Sequence, residues 1–195
     1  MTAQNLQLRF EARMRELLVM LPYDLKVLFA VMTDANLSLE ARQLATGAVI
    51  YCLSPSDPIP DSMGVVGFAD DVVVVRLSLA RLQEMSEEGF SDYPTRFGEQ
   101  FAPLDDDITL LREYLGESVG WVDDRLGRLH EMKYKGQTVT TYVSDEEMGQ
   151  RLYEEGLAFT TDYEIDEETA TKLSGEAVLE AFTKVFKVEN QRKRQ

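Results

Sequence analysis

Leu6, Phe10, Met14, Leu17, Leu18 and Leu21 recur at steps of three and four residues, with Arg9, Arg13 and Glu16 between them. That spacing gathers the apolar side chains on one face and predicts a helix over residues 4–20. Leu25, Leu28, Phe29 and Met32 carry the period past Pro22. Because proline is best accommodated in a first helical turn, a second, shorter helix is expected from Pro22 to Thr33. Ser38 as N-cap, Glu40 in the first turn and the stripe Leu44, Ala45, Ala48, Val49 and Cys52 predict a third helix ending at Leu53. A fourth is expected over residues 69–86. Its four consecutive valines are strand-like, but Val72, Val75, Leu79 and Leu82 keep helical spacing and leave Arg76 and Arg81 on other faces.

Glu87 to Pro103 holds two glycines and two prolines, which predicts a loop with a short helical turn around residues 96–101. Leu104, Ile108, Leu111, Leu115, Val119, Val122, Leu126 and Leu129 then predict one long amphipathic helix. Within it Gly116, Gly120 and Gly127 each cost about 1 kcal/mol relative to alanine and allow close packing. KYKGQTVTTYV, after His130, suits a two-stranded hairpin around Gly136 and Gln137. Ser144 with Glu147 reads as a capping box opening a helix to about Leu157. Asp166 caps the next, whose buried face holds Ala170, Leu173, Ala177, Val178, Ala181, Phe182, Val185 and Phe186, and which Gly175 can split. The final ENQRKRQ has no apolar anchor and is expected to fray. The fold class that follows is mainly α: a multi-helix bundle containing a proline-elbowed helical hairpin, with a small C-terminal α+β appendage. The boundary falls near Glu131, separating a helical domain, 1–130, from residues 131–195.

The elbow is YCLSPSDPIPDSMGVVGFADD, Tyr51 to Asp71. Its three prolines disfavour helix in the residue before each, so Ser54, Asp57 and Ile59 are pushed extended and the chain must turn. Pro55 and Pro60 restrict the unfolded chain, while Asp57 or Asp61 can accept turn N–H groups. The pattern Ser-Pro-x-Asp-x-Ile-Pro-Asp followed by Gly and paired Asp is present as Ser54, Pro55, Asp57, Ile59, Pro60, Asp61, Gly67, Asp70 and Asp71. Over residues 38–82 this resembles the YkvA-like family of domains of unknown function. The resemblance implies a helical hairpin, frequently membrane-associated, with no settled reaction. Ser56, Pro58 and Ser62 stand where that family favours apolar residues, which makes this elbow wetter.

Charge narrows the function classes. The 195 residues carry a net charge of -15, which repels a phosphate backbone and argues against general nucleic-acid binding. A basic protein surface or a divalent cation is the better partner. Cys52 is the only cysteine, so no intramolecular disulfide can form and a reducing, cytoplasmic setting is expected. The charged N-terminal segment does not read as a secretory signal. The longest uncharged run around the elbow, Gln43 to Ser56, is 14 residues, short of the roughly 18 to 20 that span a bilayer.

Candidate chemistry centres on Asp57, Asp61, Asp70 and Asp71, four hard oxygen donors suited to Mg²⁺ or Ca²⁺. Their spacing matches neither a calcium loop nor a two-metal nuclease, and aspartates also cap turns and helix starts without metal. His130 has no second histidine or nearby cysteine to share a metal with. Cys52 lies on an apolar helix, and neither it nor Ser54 has a histidine partner nearby in sequence. Residues 145–168 hold ten acidic side chains against one basic, a solvated face that can also dock a basic partner. Arg192, Lys193 and Arg194 offer a marginal attraction to an anionic surface. The first reading is a non-enzymatic interaction or regulatory module. The alternatives are a divalent-metal-binding protein or metal-dependent hydrolase using the four aspartates, and a peripheral membrane protein inserting Val65, Val66 and Phe68.

Overall fold

In a computed structural model, described over residues 2–55, 58–85 and 87–193 with only the backbone of Asp61, the apolar stripes close on one buried cluster that includes both Phe10 and Phe182. The chain is mainly helical with one two-stranded sheet. Helix α1 spans Ala3–Thr33, α2 Leu39–Leu53 and α3 Ala69–Glu84, and the three pack on one another. Ser38 caps α2 by accepting from the Ala41 N–H at 3.1 Å. Val72 to Val75 are all buried in α3, because this helix is covered on several sides by α1, α2 and two later helices. The sixth and seventh helices are Leu104–Leu115 and Gly120–Leu126. Ser86, the expected end of α3, lies outside the described residues.

Two helices were expected where α1 runs unbroken through Pro22. A proline inside a helix removes the N–H that would bond the carbonyl four residues back, here Leu18. That carbonyl accepts instead from the Tyr163 hydroxyl at 2.8 Å. A side-chain donor from the far end of the chain thus satisfies the group that the proline orphans, and the helix continues.

The segment expected as a loop is more ordered than its prolines suggest. It contains a 3-10 turn at Glu88–Phe90 and the short helices α4, Tyr93–Arg96, and α5, Gly98–Phe101. Phe90 stacks on Tyr93 at 4.7 Å and meets Phe101 edge-on at 5.7 Å. The single long helix expected after it is instead divided. Gly116 ends α6 at φ 55, ψ -136, a left-handed conformation that glycine adopts without a Cβ penalty, and a 3-10 turn, Gly116–Val119, leads into α7. Another such turn, Leu129–Glu131, follows.

β1, Lys133–Tyr134, pairs antiparallel with β2, Gln137–Thr138, across Lys135 and Gly136, so the hairpin forms where expected but only two residues deep. Thr138 then caps α8, Val139–Ser144, which converts the rest of the predicted second strand to helix. The expected capping box also shifts by one residue. Asp145, not Ser144, accepts from the Met148 N–H at 3.0 Å and opens α9, Glu146–Asp162. Asp166 caps α10, Glu167–Ala170, as expected, and α11, Gly175–Arg192, follows. The tail expected to fray stays helical through Arg192, where Arg192 pairs with Glu189 at 3.0 Å and Lys193 with Asp124. Val139, Leu152, Val178 and Phe182 join the same buried cluster as Phe10 and Val73.

Candidate functional site

The elbow joins α2 to α3. Ser54 closes α2 by donating its N–H to the Tyr51 carbonyl at 3.1 Å, and Pro55 is exposed. Ser56, Asp57 and the Asp61 side chain lie outside the described residues, so half of the candidate carboxylate set is not placed. Ile59 is buried and anchors the turn. The Pro60 carbonyl accepts from the Met63 N–H at 2.9 Å, starting a 3-10 segment, Asp61–Phe68, that Gly64 kinks at φ 63, ψ -134. Gly67 is buried against the bundle. Val65 and Val66 also point into the core, and Phe68 packs edge-on against Tyr163 at 5.4 Å. The apolar trio expected to meet a membrane is therefore turned inward, and Met63 is the residue that projects, 49% exposed.

Asp70 and Asp71 occupy the first turn of α3, where negative charge meets the positive end of the helix. Both are buried, and Asp70 accepts a hydrogen bond from the Tyr51 hydroxyl at 2.6 Å. This bond ties the end of α2 to the start of α3. Burial, and secondarily the charge of Asp71, push the Tyr163 phenol well above its ordinary range, so it stays protonated and able to donate to Leu18. Among the described residues, no group of three or more His, Cys, Asp or Glu side chains is placed to hold a metal ion. His130 is exposed with Glu131 at 3.8 Å, and Cys52 is buried on α2.

A second set of charges was not legible as a set. Arg76, only 1% exposed, reaches Asp24 of α1 at 3.3 Å and Asp107 of α6 at 2.6 Å. Arg13 of α1 grips the same Asp107 at 2.6 and 2.9 Å. Two arginines thus face two aspartates across three helices. Burial holds the Asp24 carboxyl up at about 6 despite the attraction of Arg76, and the hydrogen bonds that Arg13 donates to Asp107 raise its guanidinium. Arg76, expected off the apolar stripe of α3, is as deeply buried as that stripe. The sequence signal was its position, a lone cation flanked by VVVV and LSLA. A charge in such a run needs a buried partner.

Beside the elbow lies a groove of about 550 Å³. One wall is Pro58, Ile59, Pro60 and Met63; the other is α11, chiefly Ala181, Val185 and Val188. Met63 and Val188 are both large apolar side chains left exposed. Arg125, Lys184 and Arg192 stand around it with Glu180 and Glu189. The helical face assigned to α11 from sequence was too wide for a single buried stripe. Val178 and Phe182 fill the core, while Ala177 and Val185 are only half-buried and turn toward this groove.

A family described as Protein of unknown function (DUF1232) matches residues 41–77, from the first turn of α2 through the elbow to the middle of α3. The similarity covers under a fifth of the chain. No curated protein and no solved structure matches. No helix among the described residues is long and apolar enough to cross a membrane.

Proposed function

We propose that this chain is a non-catalytic interaction module that receives a peptide segment of a partner protein in the groove between the elbow and α11. The observation that carries the reading is the pairing of Met63 with Val188: exposed apolar side chains from distant parts of the chain line one concave site. Its volume lies in the range of pockets that hold compact ligands, roughly 300 to 1,000 Å³. One wall belongs to the segment that resembles YkvA-like domains, and in this reading that segment supplies a rigid edge. The buried Asp70 and Asp71 serve as struts beneath it.

The test is a random-peptide display selection on the wild-type protein, counter-selected on Met63→Asp/Val188→Asp. Exposed positions tolerate such changes within about 0.5 kcal/mol each, so the double variant should melt within about 4 °C of wild type. Peptides enriched on wild type and lost on the folded variant support the module. Equal enrichment on both proteins overturns the assignment of the groove. The competing metal-dependent hydrolase requires calorimetric binding of Mg²⁺, Ca²⁺ or Mn²⁺ that disappears in folded Asp57→Ala and Asp61→Ala proteins, and that result would replace this reading.

A further inference from the structure

Resting on the groove as a peptide site, we infer that its occupant is an amphipathic helix with acidic flanks, contributed by another protein. The lining of α11 runs Ala177, Ala181, Val185 and Val188, steps of four, four and three. Eleven residues of helix rise about 16 Å, or three turns. Spread over that length, the volume of about 550 Å³ leaves a channel several Å across, room for one row of side chains and not for a whole rod. That is the shape that receives the i, i+3, i+4, i+7 face of a helix.

Backbone chemistry argues the same way. Pro58 and Pro60 have no N–H to offer, and the amides and carbonyls of α11 are spent within the helix. The walls thus offer an extended strand few main-chain partners, which favours an occupant that satisfies its own backbone, as a helix does.

Charge identifies the flanks. Residues 184–194 carry five basic side chains and one acidic in a chain whose net charge is -15. At the rim Arg192 is taken by Glu189 at 3.0 Å, whereas Arg125 and Lys184 form no ion pair among the described residues and outnumber the one remaining acid of the lining, Glu180. Two cations beside an apolar channel match carboxylates on either side of an apolar stripe, a complementarity that fixes register after contact. The most acidic helix of a second copy does not supply the occupant. That helix, α9, already packs Leu152 and Gly156 inward, with the Phe29 ring where a Gly156 side chain would lie.

The experiment displays a peptide library with a fixed apolar stripe at i, i+3, i+4 and i+7 and randomised flanks. It is selected on the wild-type protein, with vesicles of phosphatidylserine and phosphatidylcholine as a separate arm. The expected result is enrichment of Asp and Glu at the flanks, with selected peptides binding at least tenfold more weakly to Lys184→Glu and to Val188→Asp. Flanks enriched in Lys and Arg, or with no charge preference, in peptides still lost on Val188→Asp would overturn the acidic helix and leave the groove standing. Failure to enrich any peptide, or peptides indifferent to Val188→Asp, would remove both. Vesicle co-sedimentation that depends on Met63 and Lys184, with no peptide selected, would replace both with a lipid surface.

Discussion

The acids between α1, α3 and α6 and the acids of residues 145–168 are the same chemical groups in opposite surroundings. Asp24 and Asp107 are buried and share Arg76 and Arg13, so every charge in that interior answers another across a helix boundary. The ten acids of 145–168 stand almost entirely in solvent. Their bonds are mostly local: Asp145 and Asp166 cap helices, and Glu147 meets Arg151 one turn on, while half-buried Glu155 alone reaches back to Tyr134 and Lys135 of the hairpin. Acid count is thus a poor guide to structural importance. Desolvation makes the interior set obligatory, while water leaves the surface set nearly interchangeable.

The sharpest way to break the contrast is Arg76→Met. It strands buried Asp24 and takes from Asp107 one of its two arginines, and should lower unfolding free energy by about 3 to 5 kcal/mol in urea denaturation. A loss below 1 kcal/mol would mean that the interior charges tolerate separation as well as the surface ones do.

A pH titration sharpens it next. The Asp24 carboxyl sits at about 6 in the fold against 3.8 in the reference state, so the native protein binds more protons between those values. Stability from this group is therefore fullest at low pH and falls as pH rises from about 4 to 6. Linkage puts the fall at about 3 kcal/mol. Wild type measured against Asp24→Asn should show the decline in the difference, and a flat difference would exclude it.

How far these regions could be read in advance follows from the distance at which each is settled. The α2 and α3 hairpin was legible because its stripes, its cap at Ser38 and its prolines are local signals. Arg76 was not, since Asp24 and Asp107 lie 52 and 31 residues away and only the fold brings them together. Gly116 was read through because Leu115 and Val119 keep helical spacing across the very residue that breaks the helix. The candidate site was half legible. Pro58, Ile59 and Pro60 mark the elbow in any reading, but the facing wall comes from α11, over a hundred residues later.

A smaller effect is expected for Tyr51→Phe, which removes the hydroxyl donated to buried Asp70. It should cost about 1 to 3 kcal/mol by thermal or chemical melting. The smallest belongs to the surface: Glu154→Gln should shift stability by less than about 0.5 kcal/mol. A larger shift there would show the acidic face to be structural after all.

The hydroxyl of Tyr163 that completes α1 lies 145 residues beyond the Leu18 carbonyl it serves. Synthesis reaches Pro22 long before Tyr163, so α1 is made with a gap at Pro22 and without the hydroxyl that bridges it. The bond that completes α1 must therefore wait until Tyr163 has been made, so an early-made helix of this bundle is finished late.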